Sequence, residues 1–430
     1  MIMDVTIGRR GLLIGSGALA ATPLLGGVAA ARDSDRGLLG TGADVAVARR
    51  WRDFRGQKVG VITNPTGVIT ESLTSIVDAM VAAGMSVGGV FGPEHGFRGA
   101  AQAGQSEETY VDERTGVTVY DANGATSAKF AEFFADARVE TVIFDIQDVG
   151  ARFYTYIWTM YDAMIAAAER GLRFVILDRP NPVGGRARGP LLADGFTSGV
   201  GKDKIVQQHG MTAGEMARYV NGVLLPAAGR APVGDLDVIQ VEGWRADELF
   251  AETGLPWILP SPNMPTPTTA LLYPGTCLFE ATNLSEGRGT TKPFELIGGP
   301  YVDHRWAADL NDLDLPGVRF REAYFTPTFS KHVGVVCGGV QVHVLEPSKL
   351  DAIRVATHML TTLRDRYDDF AWRAGDNPPG RWIDLLTGSS RFRTQFDGGA
   401  SATEIMAGWK TELAEFERRR RPYLLYRRSR

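Results

Sequence analysis

The stretch TVIFDIQDVGAR (141–152), the run from Thr155 to Arg170, and FVILDRPNP (174–182) decide the fold when they are read together. Each apolar run is short, dense in Val, Ile and Phe, and ends in carboxylates, amides or arginine. That composition suits a strand buried on both faces of a parallel sheet. The stretch between the two runs has helical spacing and the length of a crossover, so the three parts make a βαβ unit.

Working outward, the pattern repeats. Strand-like runs stand at Lys58–Thr63, Val87–Phe91 and Val117–Tyr120, with helical stretches at Thr70–Ala83 and Ser127–Ala137. The reading is α/β: a Rossmann-like, doubly wound parallel sheet over 55–200, then a smaller α+β C-terminal domain over 201–430, with a cleft between them. Residues 32–54 are expected to be a linker. The second half offers a capping box at Thr212–Glu215 and strands near Asp237–Val241 and Gly338–Leu345. Helices are expected at Lys349–Tyr367 and Thr403–Arg419. Prolines crowd Leu255–Tyr273, which argues for an extended loop there.

The residues that follow the strands matter most for function. After successive runs come Asn64, then Glu94, His95 and Arg98, then Asp145, Asp148 and Arg152, then Asp178, Arg179 and Asn181. In open α/β sheets ligands bind at the carboxyl edge, where these loops converge. Taken singly, each segment is ordinary turn chemistry; four in register read as a polar site. Asn263 in the proline-rich loop, and Glu280, Asn283, Glu286 and Arg288 in CLFEATNLSEGR (277–288), are assigned to the same site.

Composition narrows the chemistry. The chain has 430 residues with a formal net charge of −4, so no overall basic field favours nucleic acid. Arginines concentrate at the carboxyl end, at Arg418–Arg421 and beyond, and read as a solvated tail. The only GxGxxA-like string, at 15–20, lies in a leader-like segment. No P-loop or HExxH zinc motif is present, and the GxSxG string at 84–88 runs from a helical stretch into a strand, the reverse of the strand-to-helix turn that a nucleophile elbow needs. Six scattered histidines and two cysteines argue against a metal centre, and no cofactor is expected. Cys277 and Cys337 admit either a disulfide or two buried thiols.

Residues 1–31 read as a twin-arginine export signal. Arg9 and Arg10 precede a weakly apolar stretch that closes in Val28-Ala29-Ala30-Ala31. A membrane span wants about 20 strongly apolar residues, and no later segment supplies them. Stable membrane insertion is therefore not expected, and the destination is periplasmic or extracellular.

Carboxylates, arginines and aromatics without a nucleophile elbow fit glycoside hydrolysis. Glu94 is the first choice for proton donor, with Glu280 or Glu286 as its partner. Tyr154, Tyr156 and Trp257 are candidates for a sugar platform, and Trp158 reads as core. The rival reading is an exported sugar-binding protein without catalysis, which would not need a proton-donating Glu94.

The same residues carry a resemblance. GVITNPTGV, FGPEHGFRG, FDIQDVGARFYTYIWTM, DRPNPVGG, HGMTAGE, PWILPSPNMPT, YPGTCLFEATNLSEGRGTTKPFE and FTPTFSKHVG followed by CGGVQVHV occur in order between Arg55 and Tyr426. Together they resemble the exo-β-N-acetylmuramidases of the NamZ type, long known as a domain of unknown function. The resemblance implies a hydrolase that releases N-acetylmuramic acid from the non-reducing end of peptidoglycan fragments. It also implies a Rossmann-like domain followed by a smaller one, with Glu94 catalytic. Arg98, Arg152, Arg179 and Arg288 are then candidates for the lactyl carboxylate of the sugar.

Overall fold

In the computed structural model, residues 39–99, 107–378 and 380–428 are described. The export signal expected at 1–31 lies outside them. Seven strands form the main sheet: β1 (Val59–Thr63), β2 (Val87–Gly92), β3 (Tyr110–Val111), β4 (Thr118–Asp121), β5 (Thr141–Asp145), β6 (Arg173–Leu177) and, after the hairpin described below, β9 (Leu236–Ile239). Their order is β3-β4-β2-β1-β5-β6-β9. Only the short β3 runs antiparallel to its neighbour.

The winding follows from the alternation of strand and helix. From β1 the chain moves outward through β2 to β4, then returns to lay β5 against the other side of β1. The order therefore reverses between β1 and β5, which is the switch point at which doubly wound sheets open a crevice. Successive side chains go to opposite faces. Val142 and Phe144 of β5 join a core with α3 (Ser127–Asp136), α4 (Tyr156–Arg170) and α5 (Ala213–Tyr219). Ile143 joins the core formed with α1 (Gly42–Ala48) and α2 (Ile76–Ala82). A ring cluster of Phe91, Phe130 and Phe134 seals α3 to β2, with Phe91 and Phe134 centroids 5.1 Å apart.

A two-stranded antiparallel hairpin, β7 (Arg188–Leu191) with β8 (Val206–Gln208), leads from the sheet towards the second half. There, β10 (Leu296–Gly299), β11 (Val318–Phe325) and β12 (Cys337–Val344) form an antiparallel sheet in the order β10-β12-β11. It is accompanied by α6 (Pro267–Thr276), α7 (Arg305–Asp312), α8 (Ala352–Arg366), α9 (Ala402–Ala407) and α10 (Lys410–Arg420).

Four expectations change. The stretch read as a linker folds: Thr41 and Asp44 make a capping box for α1, which packs on the sheet. The main sheet does not end at residue 200, because β9 pairs parallel with β6. The proline-rich segment ends in helix α6, since Pro267 occupies the first turn, where its missing N–H costs nothing, and Thr266 caps it. The helix expected over 403–419 is two, interrupted at Gly408 and Trp409.

Candidate active site

Glu94 stands just past β2, in a turn closed by the Gly96 N–H on the Pro93 carbonyl at 2.8 Å. His95 and Gly96 both take left-handed backbone angles, with φ of +73° and +78°. For a histidine that conformation is strained, and such strain collects where a side chain must be aimed. Glu94 is half-buried, and its Oε2 accepts from the Thr155 hydroxyl at 3.0 Å, just before α4.

Two tyrosines back this carboxylate. Tyr156 donates to the Pro260 carbonyl at 2.5 Å, which ties the start of α4 to the proline-rich segment. The Tyr154 ring meets Tyr156 edge-on at 5.1 Å and Tyr273 of α6 at 5.6 Å. Burial pushes the Tyr154 hydroxyl well above the ordinary tyrosine range, with Tyr156, Asp148 and Glu94 adding to the shift. Tyr156 moves the same way, chiefly through burial. Both phenols thus stay neutral; Tyr156 spends its proton on Pro260, and the Tyr154 proton remains to donate.

Asp148 approaches from the loop after β5, on the far side of the switch point. Its Oδ2 accepts the Gly150 N–H at 2.7 Å and lies 3.2 Å from His209 Nε2. The Met211 N–H donates to His209 Nδ1 at 3.3 Å, which leaves the ring proton on Nε2, facing Asp148. Only glycine fits at 150: φ is +77°, and a Cβ would come within 2.6 Å of Val183. With Oδ2 fixed, Asp148 Oδ1 is buried and makes no hydrogen bond. The Tyr154 hydroxyl and Asn64 are close to the Tyr156 hydroxyl, but neither Tyr154 OH nor Asn64 Nδ2 reaches a partner in hydrogen-bond geometry. Asn64 Oδ1 is held by the backbone N–H and hydroxyl of Thr66, at 3.0 and 2.6 Å. Buried polar atoms are nearly always paired, so this cluster of unpaired ones marks a place built for a polar ligand.

The second candidate cluster is different in kind. Arg288 Nη1 bridges Glu280 at 2.6 Å and Glu286 at 3.1 Å, and Lys331 Nζ meets the other Glu286 oxygen at 3.0 Å. Lys331 also donates to the Phe279 and Leu284 carbonyls. Burial alone would raise Glu286, but Lys331 and Arg288 outweigh it and hold the carboxyl below its usual range. Phe294 lies under Arg288 and against Tyr273, so the two clusters share an aromatic wall.

Several expected site residues serve the framework instead. Arg98 pairs with Asp78 and Asp112 and lies over Phe97, so it braces the Glu94 loop from outside. The Arg152 guanidinium is fully buried on the carbonyls of Pro190, Ile205 and Leu386. Burial lowers it to about 9. Arg179 holds Asp145 with two bonds, at 2.5 and 2.9 Å. Asp178 accepts from the N–H groups of Arg179 and Gly214 and from the hydroxyls of Thr212 and Tyr426. Asn181 ties Val183 to Met211, and Asn283 binds Tyr301, Ala371 and Asp369. Asn263 is buried in the proline-rich segment, near the Pro260 carbonyl that Tyr156 reaches.

Trp158 is core, with its Nε1 on the Arg152 carbonyl. Trp257 packs edge-on against Phe250. Cys277 and Cys337 are both buried free thiols. Among the described residues no group of three or more His, Cys, Asp or Glu side chains is placed to hold a metal ion. Sequence reasoning missed His209, Thr155 and Tyr273. The signal for His209 was its place in HGMTAGE, directly before the capping box of α5.

Comparison with known proteins settles the family. The family described as exo-beta-N-acetylmuramidase NamZ, N-terminal, matches residues 59–268, and its C-terminal counterpart matches 271–426. The chain belongs to the NamZ family. The peptidoglycan beta-N-acetylmuramidase NamZ of Bacillus subtilis is 44% identical over 390 residues, covering 90% of this chain and 91% of that protein. Two crystal structures of DUF1343 family proteins from Bacteroides fragilis share the fold. One has a TM-score of 0.80 at 33% identity, over 90% of this chain and 99% of the other. The second has a TM-score of 0.70 at 31% identity, over 91% and 100%. The two NamZ regions meet at about residue 270, inside α6, which carries Tyr273 to the site.

Proposed function

We propose that this protein is an exo-acting β-N-acetylmuramidase that removes N-acetylmuramic acid from the non-reducing end of peptidoglycan-derived saccharides. One observation carries the reading. A half-buried Glu94 and an Asp148 with one unpartnered oxygen face the same two tyrosines across the switch point of the sheet. Glycosidic cleavage needs one carboxyl to give a proton to the leaving oxygen and a second to assist attack at the anomeric carbon. Glu94 donates to the leaving oxygen, oriented by the Thr155 hydroxyl. Asp148, anchored through Oδ2, uses Oδ1 to take the proton of the water that completes hydrolysis. One proton leaves Glu94, one arrives at Asp148, and water is divided between the two products.

Tyr154 and Asn64 supply donors for the sugar's own oxygens, and the rings of Tyr154 and Tyr273 supply an apolar wall. Glu280 and Glu286 keep Arg288 in place over Phe294, and its guanidinium is assigned to the lactyl carboxylate. Export by the twin-arginine signal at 1–31 delivers the enzyme to the compartment that holds its substrate, in cell-wall turnover or salvage.

The test uses residues 32–430, a chromogenic β-N-acetylmuramide and the matching glucosaminide. Muramide-selective turnover that collapses in Glu94→Gln supports the reading. Equal turnover of both sugars defeats the assignment of substrate. Binding without turnover in the native enzyme leaves a sugar-binding protein.

A further inference from the structure

Beyond the catalytic cluster, the same edge of the sheet carries a groove of about 740 Å³. Its walls come from Pro182–Arg188 after β6, Ala246–Glu252 after β9, the start of α6, and the end of the chain from Glu417 to Arg428. Strands lie about 4.8 Å apart, so the segment after β6 stands three spacings, or about 14 Å, from the Glu94 loop after β2. Catalytic cluster and groove are thus successive stations along one edge.

The groove concentrates arginine. Arg420 and Arg428 are held in its wall by backbone carbonyls: Arg420 by those of Gly185, His209 and Gly210, and Arg428 by Gly210 together with the Glu215 carboxylate. Burial, with the neighbouring Arg428 charge, lowers Arg420 to about 10. Arg428 is neutralised by Glu215, so the positive charge of this wall rests on Arg420 together with the arginines that follow. Arg188 is shared with Asp351. Arg186 and Arg421 are exposed, line the groove, and make no ion pair or hydrogen bond through their side chains among the described residues. Two guanidinium forks without carboxylates, above a floor that includes Phe250 and Leu271, are suited to carboxylates on an otherwise apolar chain.

The rim also carries Asp247, Glu252 and Glu417. These would repel a dense polyanion such as a phosphate polymer, but would pair with an amino group. A ligand with spaced carboxylates, some apolar surface and an amine has the chemistry of an acidic peptide. Peptidoglycan saccharides carry such peptides on their muramic acid residues.

We propose that this groove is a second binding site, taking the acidic peptide of the saccharide substrate, with Arg186 and Arg421 as its carboxylate receptors. The proposal rests on the muramidase reading above. It predicts two holds on one polymer, one at the glycosidic bond and one farther along the edge.

The experiment compares the enzyme with Arg186→Ala/Arg421→Ala and with the charge-reversed Arg186→Glu/Arg421→Glu. Both side chains are exposed, so folding is expected to survive, and circular dichroism checks it. Each protein is given a saccharide ending in a peptide-free muramic acid, whose lactyl carboxylate is free, with and without a peptide on the next muramic acid along the chain. The ratio of KM for the two substrates is expected to rise about tenfold in the Ala variant and further in the Glu variant, as loss of charge-assisted bonds requires. Calorimetric titration with an N-acetylated tripeptide bearing two carboxylates and a lysine should show binding to the native enzyme that weakens with salt and is absent in both variants. An unchanged KM ratio together with absent tripeptide binding overturns the proposal. Arginine-dependent binding of inorganic polyphosphate in place of the tripeptide overturns it in favour of a phosphate ligand. Failure to cleave the peptide-free saccharide would instead defeat the muramidase reading, and the titration would still decide the groove.

Discussion

The two acidic clusters of this protein use similar residues to opposite ends. Around Glu280, Glu286, Arg288 and Lys331 every carboxylate has a cation within ion-pair distance. Glu286 Oε2 has no hydrogen bond there, but Lys331 stands 3.0 Å from it as a paired charge. Around Glu94 and Asp148, by contrast, three buried polar atoms, Asp148 Oδ1, Tyr154 OH and Asn64 Nδ2, lack a hydrogen bond. A saturated network holds parts in place, because its desolvation is offset by its own pairs. An unsaturated one is stable only as part of a fold that keeps it ready for something else. The contrast between saturated and unsaturated carboxylates therefore separates framework from function here better than residue type does.

The largest expected effect breaks the unsaturated side. Glu94→Gln keeps the shape and the acceptor for Thr155 but removes the transferable proton. Turnover of an N-acetylmuramide should fall by a factor on the order of 10³, within the range for a lost general acid. Binding of the free sugar should change little. A variant that retains most of its turnover would move the chemistry away from Glu94.

The next effect breaks the saturated side. Glu286→Gln leaves two cations over a buried, neutral amide, and removing one partner of a buried pair costs about 3 kcal/mol or more. The urea midpoint should drop accordingly, while kcat of the folded fraction stays near the native value. A large loss of kcat without loss of stability would place Glu286 in the reaction and erase the contrast.

Asp148→Asn sharpens the same contrast from within the site. The side chain still accepts from Gly150, but the base at Oδ1 is gone. The expected loss is about 10²-fold in kcat. Loss confined to KM would make Asp148 a binding residue only.

How much of this was legible in the sequence follows the same division. Strands β1, β2, β5 and β6 were readable because runs such as TVIFD and FVIL suit only a sheet covered on both faces. The position of Glu94 and Asp148 just past them followed from strand ends. What the sequence hid was pairing across distance. Arg98 and Arg152 look alike as site candidates, yet one finds Asp112 fourteen residues away and the other finds carbonyls at 190, 205 and 386. No local pattern encodes those partners. Helix α6 was hidden for another reason: proline density argues for a loop unless one proline falls in the first helical turn, as Pro267 does. The carboxyl-terminal arginines were read as solvated, but Arg420 is buried because the carbonyls of Gly185, His209 and Gly210 converge on it.

The smallest effect tests whether saturation itself governs stability, through Asp178. Burial pushes this carboxyl up to about 6, although four donors surround it. An unfolded aspartate titrates near about 4. Its folded value is the higher one, so its contribution is full below pH 4 and is lost as pH rises through 6. Glu286 behaves in the opposite sense: its folded value is lowered, so its contribution is present above the unfolded value of about 4.3 and is lost as pH falls. The Tyr426 hydroxyl donates to Asp178 at 2.6 Å and thereby favours the charged form. Tyr426→Phe should raise Asp178 further. The variant should therefore lose about 1–2 kcal/mol at pH 7.5, the scale of a hydrogen bond to a charged group, and less at pH 4.5, where Asp178 is protonated in the fold. Urea midpoints of the native and variant proteins at the two pH values decide it. Equal losses at both would mean that Tyr426 acts by packing against Trp244 alone, and that the charge on Asp178 is indifferent to its fourth donor.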